Sequence, residues 1–175
     1  MRKLENEIRR LEHERAYVFD RNGNLFKADG NVENVNLEDI DLTGAVITHN
    51  HPNDEMGLSD SFGKDDFEFL QYHPEIKELR AVNSKYNYRL RILRPLNLSY
   101  REANNGGYEY AATEGNYDEP QHNAMRWLKE KGYIAYTRKR VRGRSNKTPQ
   151  QKMNAIGIPA IYRMQIPNLG LAVLK

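Results

Sequence analysis

The chain has 175 residues, 38% hydrophobic and 29% charged, and no cysteine. This length and balance exclude a disordered or fibrous polymer and leave no room for two large domains. The missing cysteine excludes disulfides, thiolate nucleophiles and zinc fingers with sulfur ligands. A net charge of +3 conceals a polarity: residues 121–175 carry 12 Lys and Arg against one acidic residue, whereas residues 1–120 carry 15 against 23. No run of 18 apolar residues is present, and the charged opening Met1–Glu7 lacks the apolar segment of a signal peptide. The expected compartment is the cytoplasm, that of the host if the chain is phage-encoded, with no membrane partner.

In chain order, Leu4, Ile8 and Leu11 fall at spacings of four and three among charged residues, which predicts a short helix from Arg2 to about Glu12. Ala16–Asp20 and Leu25–Ala28 flank Arg21-Asn22-Gly23-Asn24 and predict a β-hairpin. Gly44–Thr48, apolar and β-branched, predicts a buried strand ending at His49-Asn50-His51-Pro52. From Asp65 a helix is expected to run to His73, where Pro74 stops it. Strands follow at Leu79–Val82 and Tyr88–Leu93. The tyrosine-rich, glycine-containing stretch from Tyr100 to Tyr117 carries no clear signal. A helix over Glu119–Lys131, a strand at Tyr133–Thr137, a basic loop or hairpin arm at Arg138–Arg144 and a last strand within Ile156–Ile166 complete the expectation. The order predicts a mixed α/β layer architecture.

The chemistry concentrates at His49 and His51. On a strand, residues two apart share a face, so both imidazoles point the same way and Asn50 points oppositely. Two neutral imidazoles with one carboxylate suit zinc and leave a fourth position for water, as in catalytic sites. Asp65 or Asp66 supplies the carboxylate, because Pro52 stops strand pairing and sends the chain into a loop that returns at the start of the next helix. His13, His73 and His122 are expected to be exposed or helix-end residues instead.

The pattern Thr48-His49-Asn50-His51-Pro52, followed by a Ser/Gly loop and Asp65-Asp66, resembles the JAB/JAMM (MPN-plus) metalloprotease family over roughly Glu14–Leu93. It is most similar to bacterial and phage members with an HNHP signature. The resemblance implies a JAMM-like, cytidine-deaminase-like mixed sheet flanked by helices. It also implies Zn2+ held by His49, His51 and an aspartate, an upstream glutamate as general base, and a serine that stabilises the oxyanion. Glu14, directly before the first strand, matches the glutamate better than Glu12. At the family's usual spacing Ser59 is in place but Phe62 stands where the aspartate belongs. Aligned on Asp66 instead, Gly63 takes the serine position, leaving Ser59 or Ser61 to reach in from the loop. Asp66 is favoured over Asp65 because Phe67 follows it directly, and Asp65 then caps the helix.

The implied activity is zinc-dependent hydrolysis of a peptide or isopeptide bond in a protein or peptide substrate. It belongs to a metal-binding core over 1–95, with a helical and basic C-terminal extension over 96–175 packed beside it or forming one domain with it. Two alternatives remain: an inactive JAMM-like scaffold, and a nucleic-acid-binding protein. Arg138, Lys139, Arg140, Arg142 and Arg144 would meet nucleic acid or an acidic protein. The letters HNH name dispersed residues in the nuclease family of that name, so His49-Asn50-His51 is no match to it.

Overall fold

The computed structural model describes residues 1–30, 36–37, 40–52 and 61–141. All of these belong to one compact unit, Met1–Val141; the second unit, Arg142–Lys175, lies outside the described residues. With it lie the expected strand within Ile156–Ile166 and the basic residues Arg142 and Arg144.

Six strands form one mixed sheet: β1 (Arg15–Phe19), β2 (Leu25–Asp29), β3 (Val46–Asn50), β4 (Glu78–Val82), β5 (Tyr86–Ile92) and β6 (Ile134–Arg140), in the spatial order β2-β1-β3-β4-β5-β6. Four helices flank it: α1 (Arg2–Ile8), α2 (Lys64–Tyr72), α3 (Tyr100–Glu114) and α4 (Pro120–Glu130). Only β3 and β4 pair in parallel, and α2 lies on the connection between them, as a parallel pair requires. Among the described residues no helix is long and apolar enough to cross a membrane.

The hairpin forms where the Asn-Gly signal placed it. Gly23 takes φ +86°, and the Asp20 carboxylate accepts hydrogen bonds from the backbone N–H groups of Asn22 and Asn24 at 2.8 Å each. β3 runs two residues further than expected and carries both His49 and Asn50, so the strand alternation extends into the motif.

Alternation then sorts the side chains. Ala16, Val18, Ile47, Leu79, Ala81, Tyr88, Leu90, Ile134 and Tyr136 turn to an inner face and pack with Phe67 and Leu70 of α2, Ala103 of α3 and Ala124, Met125 and Leu128 of α4. The outer face is covered over β1 and β4 by α1, where Ile8 meets Tyr17 and Val82.

Two elements differ from the sequence expectation. The unassigned stretch after Tyr100 is a 15-residue helix, although Gly106 and Gly107 cost it about 1 kcal/mol each in propensity. Its start is held by a reciprocal cap: Ser99 N–H donates to Glu102 Oε2 at 2.7 Å and Glu102 N–H to Ser99 Oγ at 3.2 Å. Its middle needs the glycines, because a Cβ on Gly106 would stand 2.2 Å from the Trp127 ring and one on Gly107 2.6 Å from the Ala124 nitrogen. The second difference is that Arg138–Arg140 are not a loop: they continue β6, paired with Tyr86–Tyr88 of β5. Residues 96–141 therefore supply two helices and an edge strand to the same unit as residues 1–95.

Candidate metal centre

His49 lies at the end of β3 on the inner face and His51 one step beyond it, both buried with 8% of their surface exposed. Their Nε2 atoms approach to 2.9 Å with the rings tilted at 54°. Asp66, in the first turn of α2, completes the group: Oδ1 is 3.0 Å from His49 Nε2 and Oδ2 3.3 Å from His51 Nε2. His49, His51 and Asp66 thus bring three ligand atoms close enough together to hold a metal ion.

The separations can be tested against one. Ligands at about 2.0–2.2 Å from a tetrahedral zinc stand about 3.3 Å apart; here the two imidazole nitrogens are 2.9 Å apart, and they lie 3.0 and 3.3 Å from different oxygens of the Asp66 carboxylate. Three acceptor-rich groups turned toward one point, rather than away from each other, are what a shared cation stabilises. Burial raises the Asp66 carboxyl, but the two imidazoles lower it by more, so it stays ionised and ready as a ligand. His51 Nδ1 is buried without a hydrogen-bond partner among the described residues.

Of the two aspartates, Asp66 faces the histidines and Asp65 is exposed. Asp65 does not cap α2. The helix begins one residue earlier, with Gly63 as N-cap, and the Gly63 N–H donates to Asp66 Oδ2 at 3.0 Å. Asp66 therefore satisfies a free helix-end donor and serves the site at once.

Glu14 is brought to the same place by strand register. The paired register of β1 and β3 ends with Ala16 opposite His49; Glu14 lies two residues before that pair and His51 two residues after it, and the two side chains interact electrostatically. Its carboxyl feels His51, Asp66 and Asp65 electrostatically; burial first, and the two aspartates after it, raise it to about 8 against the lowering pull of His51.

Asn50 is a residue the sequence analysis passed over. Pointing away from the histidines, its Oδ1 accepts from the Arg15 N–H at 2.8 Å and its Nδ2 donates to the His13 carbonyl at 3.0 Å. The Glu14 carbonyl itself accepts from Gly30 N–H at 2.9 Å. The backbone on both sides of Glu14 is thereby bound, and the signal in the sequence was an amide wedged between two ligands.

Ser59 lies outside the described residues. Ser61 is fully buried: its Oγ is 2.8 Å from the Tyr136 hydroxyl, which is 2.8 Å from His122 Nδ1. His122 stands on the first turn of α4, as its sequence position suggests, and it is buried there as the inner end of this chain. Burial and the charge of Arg138 push it down to about 4, so it is neutral. Since Tyr136 has one proton, the chain has two polarities. Either Ser61 donates to Tyr136 and keeps none to offer, or His122 Nδ1–H donates to Tyr136, Tyr136 donates to Ser61, and the Ser61 proton is free.

His13 pairs loosely with Asp29 at 3.9 Å, and His73 ends α2 beside Glu75 at 3.1 Å. Arg138 is engaged by Glu119 and stacks 4.5 Å over the Tyr86 ring, whereas Lys139 and Arg140 are exposed. No family model, curated protein or solved structure matches the chain.

Proposed function

We propose that the protein is a zinc-dependent hydrolase that cleaves a peptide or isopeptide bond, in the manner of the JAB/JAMM family its HNHP motif resembles. The observation that carries the proposal is the convergence of His49, His51 and Asp66, with Glu14 near enough to interact electrostatically with His51 and Asp66. Two imidazoles and one carboxylate leave an open position on a tetrahedral ion, the arrangement of a catalytic rather than a structural site. Zinc, when bound there, supplies positive charge that polarises a carbonyl and makes water acidic near pH 7.

The remaining work belongs to the chain. Glu14, which burial raises to about 8, would be drawn back to its ionised form by a cation held beside it, and would then take a proton from water at its carboxylate and pass it to the leaving amine. Asn50 fixes where that carboxylate stands. Ser61 donates to the developing oxyanion if the His122–Tyr136 chain leaves its proton free; the opposite polarity favours the inactive scaffold.

The test is metal analysis of the purified chain together with peptidase assays. Wild type is expected to carry one zinc per chain, and H49A and H51A to carry none. Glu14→Gln should keep the metal and lose activity by about 10²–10⁴-fold. Iron in place of zinc would redirect the reading, because two histidines and a carboxylate also suit ferrous oxygenases. Full activity in Glu14→Gln would remove Glu14 as the base.

A further inference from the structure

The outer face of the sheet is covered by α1 only in part. At its other side, β5 and β6 turn Asn87, Arg89 and Arg91 outward beside Lys139, Thr137 and Ala135, in the pairs Asn87–Lys139, Arg89–Thr137 and Arg91–Ala135. Arg89, Arg91, Thr137 and Lys139 are exposed. Among the described residues none of the three cations has an acidic partner. Glu5 of α1 and Glu78 of β4 are both taken by Arg80, which stands beside Arg89 in the ladder. The face therefore presents three uncompensated positive charges on a regular lattice. Arg89 and Arg91 are about 6.8 Å apart along one strand, and Lys139 lies on the strand about 4.8 Å away.

We propose that the outer face of β5–β6 docks the phosphate backbone of a double-stranded nucleic acid. Three features favour this partner. Arginines at a two-residue repeat, with a threonine hydroxyl on the paired strand, are groups that bind phosphate oxygens without reading bases; the Asn87 Oδ1 is engaged by Arg9 at 2.6 Å. A protein partner would need an apolar anchor at the centre of the contact. Of the exposed large apolar residues, Leu25, Phe26, Tyr72, Tyr108 and Tyr117 lie off β5 and β6, and Leu93 follows the end of β5, beyond Arg91 at the rim and not at the centre of the three cations. Unpaired bases would need aromatic platforms, and among the described residues the outward positions of β5 and β6 carry no ring, so the duplex backbone is the form this face fits. The surface differs from the basic arm expected from sequence. Arg138, on the opposite face of β6, is spent on Glu119, and the arginines that matter sit on β5.

The test is a fluorescence anisotropy titration of labelled mixed-sequence duplex DNA, with duplex RNA as a second arm, using the full chain at several salt concentrations. The triple variant Arg89→Gln, Arg91→Gln, Lys139→Gln is compared with Lys3→Gln, Arg101→Gln, Lys129→Gln, which removes the same charge at exposed positions elsewhere. Wild type should bind unrelated duplexes with equal affinity. The first variant should bind at least tenfold more weakly, with a log–log salt slope shallower by about 3. The control variant should match wild type, both variants should melt as wild type does, and a chelator should leave binding intact. Failure of wild type to bind either duplex, equal loss in both variants, tighter binding of single strands, or displacement by polyglutamate at equal charge concentration would overturn the proposal.

Discussion

Asn50 does work that neither histidine beside it can do. Its amide serves one backbone acceptor and one backbone donor on either side of Glu14, so truncating it takes that partner from two half-buried groups. Asn50→Ala is expected to destabilise the fold by about 1–3 kcal/mol and to lower turnover while His49, His51 and Asp66 still bind metal. Thermal melting and metal content measured on one preparation check this, and a variant that loses metal would show that Asn50 supports β3 rather than Glu14. His122 makes a second prediction through pH. Its folded value of about 4 lies below the ordinary 6.5, so the unfolded chain binds the proton more readily. The stabilisation is full above pH 6.5 and is lost as pH falls through 4. Allowing for partial solvent screening, the loss is about 1–2 kcal/mol. His122→Asn should flatten that part of the pH–stability curve, as denaturant titrations between pH 4 and 7 would show.

Among the elements, those with a local cause were legible. Asn22-Gly23 sets the hairpin, Pro74 stops α2, and apolar β-branched residues lead into the histidine pair. α3 was not legible, because its two central glycines argue against a helix until their partner on α4 is known. They are there for closeness. A Cβ at Gly107 would meet the backbone of Ala124, which cannot swing aside as a side chain does. Gly107→Ala, a gain of about 1 kcal/mol in an isolated helix, should here cost about 1–3 kcal/mol net as the helices are forced apart. Chemical denaturation gives the sign. β6 was mistaken for an arm beyond Thr137 because its charges resemble those of a solvated loop, although an edge strand carries such charges without penalty. At the site, His-X-His was readable from strand alternation alone. The choice of Asp66 rested on one following apolar residue, and the Ser61–Tyr136–His122 chain joins residues up to 75 positions apart, which no local pattern encodes.

For the whole molecule, the proposed metal site would tie metal binding to folding. The three ligands come from β3, the turn after it and α2, so an ion bound by them stabilises the folded form over the unfolded one. Free zinc at a hundred times its dissociation constant adds about 2.7 kcal/mol, which for a unit of this size raises the melting temperature by roughly 5–10 °C. Differential scanning fluorimetry with and without chelator reads this, and the Asp66→Asn variant should show little of it.

The placing of Glu14 and His51 also divides the chain by its tolerance of length. Both positions are counted from the pairing of Ala16 with His49, so one residue added between Glu14 and Ala16 would turn the acid to the α1 side of the sheet. The same residue added at the Gly23 turn, or between β2 and β3, would be absorbed outside that count. Insertions are thus tolerated at the Gly23 turn and in the connection after Gly30, while β2, the two residues before Ala16 and the two after His49 admit none that keeps the chemistry.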